Sequence, residues 1–453
     1  MDQAQPAPDR QPPVFDPSAP HQQTPRLRQV RGFPAQHGEQ VLLGLADARQ
    51  ISDEIVFTIP AAQVILPHMD GTKTIDEIVG AVGHGLKRSD LEMLIAQLDH
   101  AGLLEGPRFQ AILQRVRDEY DSAPHLPPAG TANIADALVT QEKGEGLSAE
   151  EIAAAAPAAL RTAMDRWMAQ ALEKVDKPSF DELPRAVIAP HLDYWRGWMN
   201  YAGIYGRMRV VDRPDRVVVL GTNHFGFGTG VVGCDKGFQS PLGVSELDRA
   251  FVDELSRHLT AEQSRQLFLH RYDHEREHSV ELHIPWIQHV FADPSTGATP
   301  KVFGALVHDP AVNNGESYDN QGLGILPFID AMKKAIAASP GTTLIVASAD
   351  LSHVGSSFGD RTPIVGDSQE SVAFRNKVVG HDREMIQLII EGKAEELVAS
   401  MAWQQNPTRW CSVGNIVAAM KITGAPSVSV LNYVMAGDQQ GSAMVSSIAA
   451  AIA

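Results

Sequence analysis

The 453-residue sequence has few cysteines and no long apolar segment. Only Cys234 and Cys411 are present, which is too few for a disulfide framework and is compatible with a reducing compartment. No run of 18 or more apolar residues occurs, so hydropathy predicts no membrane-spanning helix. Residues 1–26 lack the apolar stretch of a secretory signal. These absences lead us to expect a cytoplasmic protein.

Basic residues are scarce relative to acidic ones. The chain has 38 lysines and arginines against 55 aspartates and glutamates, for a formal net charge of −17. Because affinity for nucleic acid depends mostly on basic side chains that neutralise phosphates, we expect no nucleic-acid partner. The acidic balance favours a small-molecule or protein partner in solution, and no feature of the pattern predicts a membrane partner.

The length exceeds a single hydrophobic core, since ordinary domains contain roughly 100 to 150 residues. Changes in composition along the chain divide it into segments. The predicted segments are a Pro- and Gln-rich disordered stretch at 1–35, a small domain at 36–106, a helical linker at 107–183, and one α/β domain at 184–453. Within this segment, residues 122–147 are interpreted as linker, and a capping box formed by Ser148 and Glu151 predicts a helix that continues past Pro157 to about Val175.

The small domain shows the pattern of a hairpin followed by helices. Residues 41–45 and 54–59 are extended in character and predict the hairpin. The helices are predicted as an apolar one at 61–68 and two that begin at capping boxes, Thr74 with Glu77 and Ser89 with Glu92. A hairpin with three short helices is a winged-helix layout.

This segment resembles the PqqD-like domain, a peptide-recognition element of ribosomal-peptide maturation systems. The resemblance rests on the apolar helix, the turn at residues 69–74 (Met-Asp-Gly-Thr-Lys-Thr) and the closing segment at 98–105. A DNA-reading winged helix is the competing interpretation. Residues 51–105 hold nine acidic and three basic side chains, and this charge argues against DNA.

Four short motifs in the α/β domain carry its chemistry. Three of them directly follow apolar, β-branched runs typical of buried parallel strands, and the fourth stands where a helix pattern begins. In an open α/β sheet, loops at the carboxyl ends of such strands meet in one crevice. The motifs are Ala189-Pro190-His191, Gly221-Thr222-Asn223-His224, residues 348–353 (Ser-Ala-Asp-Leu-Ser-His), and residues 409–414 (Arg-Trp-Cys-Ser-Val-Gly).

These motifs contain ligand types that transition metals prefer. A single histidine such as His191 is more often a satisfied core residue than a ligand, but His224 at a second strand end favours the metal interpretation. Cys411 is predicted to open a helix that stops at Gly424, where the dipole favours a thiolate. Its alternative role is that of a small buried apolar side chain, which is also the interpretation of Cys234.

Acid–base residues accompany these candidates. Asp350 and His353 lie three apart in a predicted loop, where the aspartate orients an imidazole or caps a helix and the imidazole transfers protons. The densest titratable run, residues 273–283, is either a solvated helix face or part of the site. From it we expect His278 to line the site, ahead of Glu277 and His283.

Six motifs, in order over residues 185–453, are similar to those of the Memo family. The chain resembles in particular the AmmeMemoRadiSam system protein B, although Ser412 and Asn415 stand where relatives tend to have glycine and proline. The motifs are residues 189–197, 220–224, 240–243, 276–281, 349–355 and 410–411.

The resemblance implies a fold like that of class III extradiol dioxygenases, with a central sheet flanked by helices. It further implies that His191, His224 and Cys411 bind one transition-metal ion, iron or copper, and that His353 acts as acid or base beside Asp350 and His278. A radical-SAM protein and a peptide or small-molecule substrate are the implied partners.

Three hypotheses follow for the function of this site. The first is a mononuclear redox centre that binds a small organic substrate and O2. The second is a non-catalytic accessory or peptide-binding partner of a radical-SAM enzyme. The third is a structural zinc site, which usually has four protein ligands, whereas the resemblance supplies three.

Overall fold

The computed structural model of the chain describes residues 12–38, 40–83, 85–424 and 427–453. It contains two compact units, one ending at Ser122 and the other beginning at Ala123. This division lies inside the segment 107–183 that the sequence predicts as a linker. The domain limits drawn from composition therefore remain predictions, and each unit is described by itself.

The first unit is a small antiparallel sheet with helices. The sheet has the order β1-β2-β3, and its core joins apolar side chains of the sheet to those of the helices that follow it. Two 3-10 turns, Pro60–Val64 and Leu66–His68, stand where one apolar helix is predicted. The elements are α1 Pro20–Gln23, β1 Val30–His37, β2 Gln40–Asp47, β3 Val56–Thr58, α2 Ile75–Val82, α3 Arg88–His100 and α4 Pro107–Ser122.

Some local predictions for this unit are confirmed and others are wrong. The capping box of Thr74 and Glu77 is confirmed at the start of α2. The one predicted at Ser89 is wrong, because α3 begins at Arg88 without a side-chain cap. The disorder predicted for residues 1–35 is wrong for Pro20–Gln23, which is helical, and from Val30, which pairs with Asp47 in the sheet. Residues 1–11 lie outside the described residues.

The second unit is a mixed α/β structure, as the sequence predicts. Its first elements are β4 His125–Leu126, α5 Gly130–Lys143, α6 Ala149–Leu172, β5 Ala186–Ala189, α7 Tyr194–Tyr205, β6 Arg216–Gly221, β7 Val232–Gly233, β8 Gly237–Ser240, β9 Gly243–Ser245, α8 Arg249–Arg257, α9 Ala261–Phe268, α10 His278–Glu281 and α11 Ile284–Phe291. The remaining elements are β10 Lys301–Leu306, α12 Ile325–Ala338, β11 Thr343–Ser348, β12 Asp350–Val354, α13 Gln369–Ile390, α14 Ala394–Gln404, α15 Val413–Thr423, β13 Ser429–Gly437 and β14 Met444–Ile452.

An eight-stranded sheet forms the centre of this unit. Its strand order is β12-β14-β5-β11-β6-β10-β7, with β13 also paired to β14. Strands β5, β11, β6 and β10 are parallel, which confirms the interpretation of the apolar runs. Both faces of these strands are buried under helices, and their side chains join the largest apolar cluster of the unit. In the part of the chain that is described, no helix has the length and apolar character needed to cross a membrane.

Several local predictions in this unit need correction. Residues 122–147, interpreted as linker, contain the helix α5, and residues 123–147 belong to the second compact unit. Asp350 and His353 lie in strand β12 rather than in a loop or at a helix cap, because this edge strand pairs with β14. Cys411 precedes α15 by two residues, and Ser412 occupies the N-cap position. The capping box of Ser148 and Glu151 is confirmed, and its helix runs through Pro157.

Candidate metal centre

Three histidines meet at the carboxyl edge of the parallel strands. His191 follows β5, His224 follows β6, and His278 begins α10. The ring centroids lie 5.1 Å apart for His191 and His224, 4.9 Å for His224 and His278, and 5.5 Å for His191 and His278. The convergence predicted for the strand ends therefore brings two of the sequence-predicted ligands together with a third imidazole.

The proton position on His191 follows from its hydrogen bonds. The Ser348 hydroxyl donates to the carbonyl oxygen of Ser279 at 2.6 Å, so at 3.0 Å it accepts the Nδ1 proton of His191. Nε2 of His191 is then left with its lone pair. Burial, with His224 and His278 nearby, lowers the pKa of His191 well below its usual value, which keeps the ring neutral and able to bind a metal ion.

Glu277 orients His224 in the same way. Its carboxylate lies 3.0 and 3.2 Å from Nδ1 of His224 and accepts the backbone N–H of His224 at 2.8 Å. Burial alone would raise the pKa of Glu277, but the interaction with His224 outweighs it and holds that pKa at about 2. Burial likewise opposes the charged form of His224, yet Glu277 raises the pKa of His224 well above its usual value. The ionised carboxylate therefore favours a protonated His224, and the Nε2 proton has to leave before that atom binds a metal ion.

His278 shares the carboxylate of Glu277. Its Nδ1 lies 3.2 Å from Oε1 of Glu277, and the N–H of Ser279 also donates to this oxygen at 2.8 Å. A carboxylate that orients ligand imidazoles through Nδ1 is the usual outer partner of a metal-bound histidine. One buried acid thus directs two histidines toward one point.

The donor atoms of the three histidines fit a single metal ion. One nitrogen of each ring lies within 4.8 Å of the others, and the hydrogen bonds to Nδ1 indicate that this atom is Nε2. Three nitrogens spaced evenly around one ion at about 2.1 Å lie at most about 3.6 Å from one another, so each ring needs to move inward by about 0.7 Å. Imidazole nitrogens with these spacings suit iron, copper or zinc once His224 has lost its proton.

Cys411 lies beside this triad. Its Sγ is 3.3 Å from Nε2 of His191 and 3.1 Å from the hydroxyl of Ser412. The thiol is half-buried, whereas Cys234 is fully buried under the sheet as predicted. A sulfur at this distance from a ligand nitrogen is within reach of the same ion.

Asn415 and Thr222 hold the backbone near Cys411. The amide of Asn415 donates to the Thr222 hydroxyl at 2.9 Å and to the carbonyl oxygen of Ser348 at 2.6 Å. The Thr222 hydroxyl donates in turn to the carbonyl oxygen of Cys411 at 3.1 Å. The residue that differs from the expected proline therefore ties the start of α15 to the ends of β6 and β11.

Asp350 and His353 also face the site. Burial raises the pKa of Asp350 to about 7, and its Oδ1 accepts the backbone N–H of His191 at 3.1 Å. Burial lowers the pKa of His353 to about 4. Nδ1 of His353 donates to the carbonyl oxygens of Leu351 and Arg409 at 2.9 and 3.1 Å, so Nε2 carries a lone pair that accepts protons.

The titratable run at 273–283 proves to be a support for the site rather than a solvated face. Asp273 accepts the N–H groups of Phe227 and Gly228, which follow His224. Glu281 accepts N–H groups of residues 129–131 at the start of α5. With Glu277 between them, these acids stand four apart and each fixes a different backbone segment. That spacing was visible in the sequence, but the N–H groups that donate to Asp273 and Glu281 lie 45 to 152 residues away.

Other histidines of the run are not part of the triad. Nε2 of His274 lies 3.1 Å from the carbonyl oxygen of Val232. Because a carbonyl oxygen only accepts, this Nε2 carries the proton and donates it. His283 is fully buried and contacts the Tyr205 hydroxyl at 3.0 Å. Glu277, which the sequence ranks behind His278, contacts the rings of both His224 and His278.

The model of the family described as Memo-like protein matches residues 153–453. The chain belongs to the Memo-like protein family. A MEMO1 family protein of Nitrosopumilus maritimus is 25% identical over 260 residues, covering 56% of this chain and 78% of that relative. One of Methanothermobacter thermautotrophicus is 26% identical over 291 residues, with 63% and 90% covered.

A MEMO1 family protein of Aquifex aeolicus matches a longer span. It is 24% identical over 385 residues, which covers 84% of this chain and 86% of that relative. The span exceeds the region matched by the family model, so it begins within the first compact unit. The Memo resemblance and the α/β architecture are confirmed, while the PqqD-like assignment of the first unit stays a prediction.

Proposed function

We propose that this Memo-family protein binds one transition-metal ion, iron or copper, through His191, His224 and His278, with Cys411 as a fourth donor. The observation that carries the proposal is the convergence of three imidazoles, of which His191 and His224 have acceptors at Nδ1 and His278 has its Nδ1 3.2 Å from Glu277. Compared with the set implied by the resemblance, His278 joins the ligands instead of standing beside them. A thiolate with imidazoles is a donor set for iron and copper.

The surroundings favour redox chemistry over a structural ion. Structural zinc sites are closed and lie away from groups that titrate near neutral pH. Here the side chains of His224 and His278 are 22% and 36% exposed, and Asp350 and His353 stand beside them without being needed as ligands. The bound ion supplies electron transfer to or from a small organic substrate and O2.

The chain's own residues bind and deprotonate such a substrate. His353 is neutral at physiological pH and its Nε2 accepts a proton from a substrate hydroxyl. Asp350, with its pKa near 7, exchanges protons in the same range while it holds the backbone of His191. These roles match the extradiol-dioxygenase-like activity that the resemblance implies.

Metal binding is tested with protein purified without oxygen. Elemental analysis identifies the native ion, and titration of metal-free protein with Co(II) measures stoichiometry and thiolate charge transfer. We expect one ion per chain, strong losses of affinity in His191→Ala, His224→Ala and His278→Ala, and loss of the charge-transfer band in Cys411→Ala. The control is His258→Ala, whose histidine pairs with Glu254 on α8. Unchanged binding in the triad variants contradicts the proposal.

Redox activity needs a separate measurement. We expect Fe(II)- or Cu-loaded protein to consume O2 with a chelating aromatic substrate of the catechol type, and His353→Gln to reduce the rate while metal content stays constant. If no chelating substrate perturbs the metal spectrum and no O2 is consumed, the site binds metal without oxidising such substrates.

A second candidate function belongs to the first unit. An apolar groove of about 560 Å³ runs between the edge strand β3 and α3. It exposes large apolar side chains, among them Phe57, Ile59 and Met93 at 51%, 63% and 55%. We propose that it binds an extended, basic peptide segment of a radical-SAM partner, since an edge strand offers free backbone groups and the unit is acidic.

Co-purification distinguishes this role from the metal chemistry. We expect capture of the radical-SAM protein to survive His191→Ala and to fail in Phe57→Asp and Met93→Asp. Val210→Asp changes an equally exposed apolar residue of the second unit and is the matched control. Equal capture by all variants rules out the groove as the binding surface.

A further inference from the structure

A buried carboxylate behind the proposed metal centre has no cation beside it. Asp382 of α13 is 1% exposed, and none of the ion pairs found between described residues includes it. It accepts instead from four neutral groups: Ser352 Oγ, Trp410 Nε1 at 2.8 Å, Tyr433 OH at 2.7 Å and Ser446 Oγ at 2.6 Å. These hydrogen bonds join α13 to β12, to the residue before Cys411, and to the strands β13 and β14.

Two of the four donors each precede a site residue by one position. Ser352 precedes His353 in β12, and a bulge between Asp350 and His353 lets both of those residues face the site. The Ser352 hydroxyl donates instead to Asp382 on α13. Trp410 precedes Cys411 in the same manner. Asp382 thus fixes the neighbours of both the acid–base residue and the thiol.

Trp410 is held by its backbone as well as by its ring. Its N–H donates to Oδ1 of Asn406 and its carbonyl accepts from Nδ2 of Asn406, both at 2.7 Å. The loop around it is strained, since Gln405, Asn406 and Arg409 have φ values of 56°, 46° and 59°. Such conformations persist only where surrounding contacts over-determine them, and they cluster at functional sites.

The same loop contacts His353 directly. The N–H of His353 donates to the carbonyl oxygen of Thr408 at 2.8 Å, and the guanidinium of Arg409 donates to the carbonyl oxygen of His353 at 2.8 Å. Ser352 Oγ lies 2.6 Å from the Thr408 hydroxyl. These hydrogen bonds join the loop to β12, and the contacts of Asp382 hold both in place.

We infer that Asp382 is a positioning residue that sets the Cys411 thiol and the His353 ring against the histidine triad. Its consequence for metal binding rests on the proposed function, whereas its effect on the thiol does not. Tyr433 and Ser446 donate to the same carboxylate from β13 and β14, away from the loop. Removing one of these two hydrogen bonds distinguishes a role of Asp382 in positioning the loop from a role in general stability.

The test measures Cys411 in metal-free and metal-loaded protein. Asp382→Asn removes the carboxylate, and Trp410→Phe removes the indole N–H that donates to it. Tyr433→Phe removes a different hydrogen bond to the same carboxylate. Alkylation by iodoacetamide at one fixed pH, located by peptide mass spectrometry, reports the thiol without metal. Cys234 is fully buried and serves as the internal reference. Urea unfolding confirms that each variant is folded.

We expect Asp382→Asn and Trp410→Phe to change the Cys411 alkylation rate several-fold, with the double variant no different from the larger single effect. Both should lower Co(II) affinity by about 10- to 100-fold, as other outer-sphere partners do, and weaken the thiolate charge-transfer band. Tyr433→Phe should leave rate and band at wild-type values.

Two results overturn the inference. One is a folded Asp382→Asn variant whose alkylation rate equals that of the wild type. The other is Tyr433→Phe with the same change as Asp382→Asn, which assigns the carboxylate to stability. If wild-type protein binds no Co(II), the proposed function fails, and the alkylation rates still decide the role of Asp382.

Discussion

The two compact units bury carboxylates in different ways. In the first unit, Asp47 pairs with Arg28 at 3.0 Å, both side chains are at most 3% exposed, and the guanidinium also lies 3.5 Å over the ring of Phe109. In the second unit, Glu277 is equally buried, but its partners are the imidazoles of His224 and His278. The first acid is neutralised by a permanent cation, whereas the second faces imidazoles, whose charge depends on pH.

This difference separates an ion pair that stabilises the fold from a carboxylate that belongs to the proposed metal site. An arginine stays charged at any physiological pH, so the Arg28–Asp47 pair holds β1 to β2 without responding to conditions. The interactions of Glu277 change when His224 gains a proton or a metal ion. A buried acid beside histidines therefore marks the reactive part of the molecule, and the following predictions test the contrast.

The largest expected effect is on the first unit. Arg28→Met leaves Asp47 buried without its cation, and breaking such a pair costs about 3–5 kcal/mol of unfolding free energy. All six tryptophans lie in the second unit, so the loss should appear in circular dichroism but not in tryptophan fluorescence. The control is Arg257→Ala, which breaks the exposed pair with Glu254. A matching shift in fluorescence argues that the units unfold together.

Acid should weaken the second unit through Glu277. Its folded-state pKa of about 2 lies below the usual 4.5, so its stabilisation is complete above about pH 4.5 and is lost as pH falls through about 2. The contribution is roughly 3 kcal/mol at most. Urea unfolding of metal-free protein, followed by tryptophan fluorescence, should show this loss in the wild type and a flatter profile in Glu277→Gln. Glu150→Gln is the exposed control, and a Glu277→Gln profile as steep as that of the wild type contradicts the assignment.

Metal affinity should depend on the same acid. Glu277→Gln keeps the size of the side chain but weakens the orientation of His224 and His278, and we expect Co(II) affinity to fall about 10- to 100-fold. Competition with a chromophoric chelator measures it. Arg28→Met should leave the affinity unchanged. A fall in that variant would contradict the separate roles assigned to the two buried acids.

The smallest effect is expected at Glu281. Glu281→Gln removes the charge that accepts the N–H groups at the start of α5, and a lost charge of this kind at a helix N-terminus costs about 1 kcal/mol. Tryptophan fluorescence during urea unfolding reports it. We expect metal affinity to remain within twofold or so of the wild type; a loss as large as that of Glu277→Gln would extend the metal site to α5.

Much of the local structure of both units could be predicted from sequence patterns. The apolar runs before His191, His224 and Asp350 are buried strands because both of their faces carry β-branched side chains. The capping boxes at Thr74 and Ser148 appear where the serine or threonine stands three residues before a glutamate. The box at Ser89 fails because Arg88 already extends α3 and pairs with Asp76 and Glu92.

What failed depended on which strand a segment pairs with. Strand β1 looked disordered because its Pro- and Gln-rich neighbourhood conceals a segment that pairs with β2. Asp350 and His353 looked like loop residues because β12 is an edge strand, formed only by pairing with β14. In each case the missing information was the identity of the partner strand.

The sequence by itself determined the family, the parallel strands and the placement of His191, His224 and Cys411 near strand ends or a helix start. Those features follow from local periodicity and from the rule that carboxyl ends of parallel strands meet. Only the tertiary structure decided that His278 joins the triad, that Glu277 serves two rings, and that Asp382 holds Trp410. Each of these depends on a hydrogen bond or contact whose geometry arises from packing, because distant segments acquire their distances only when the whole sheet has formed.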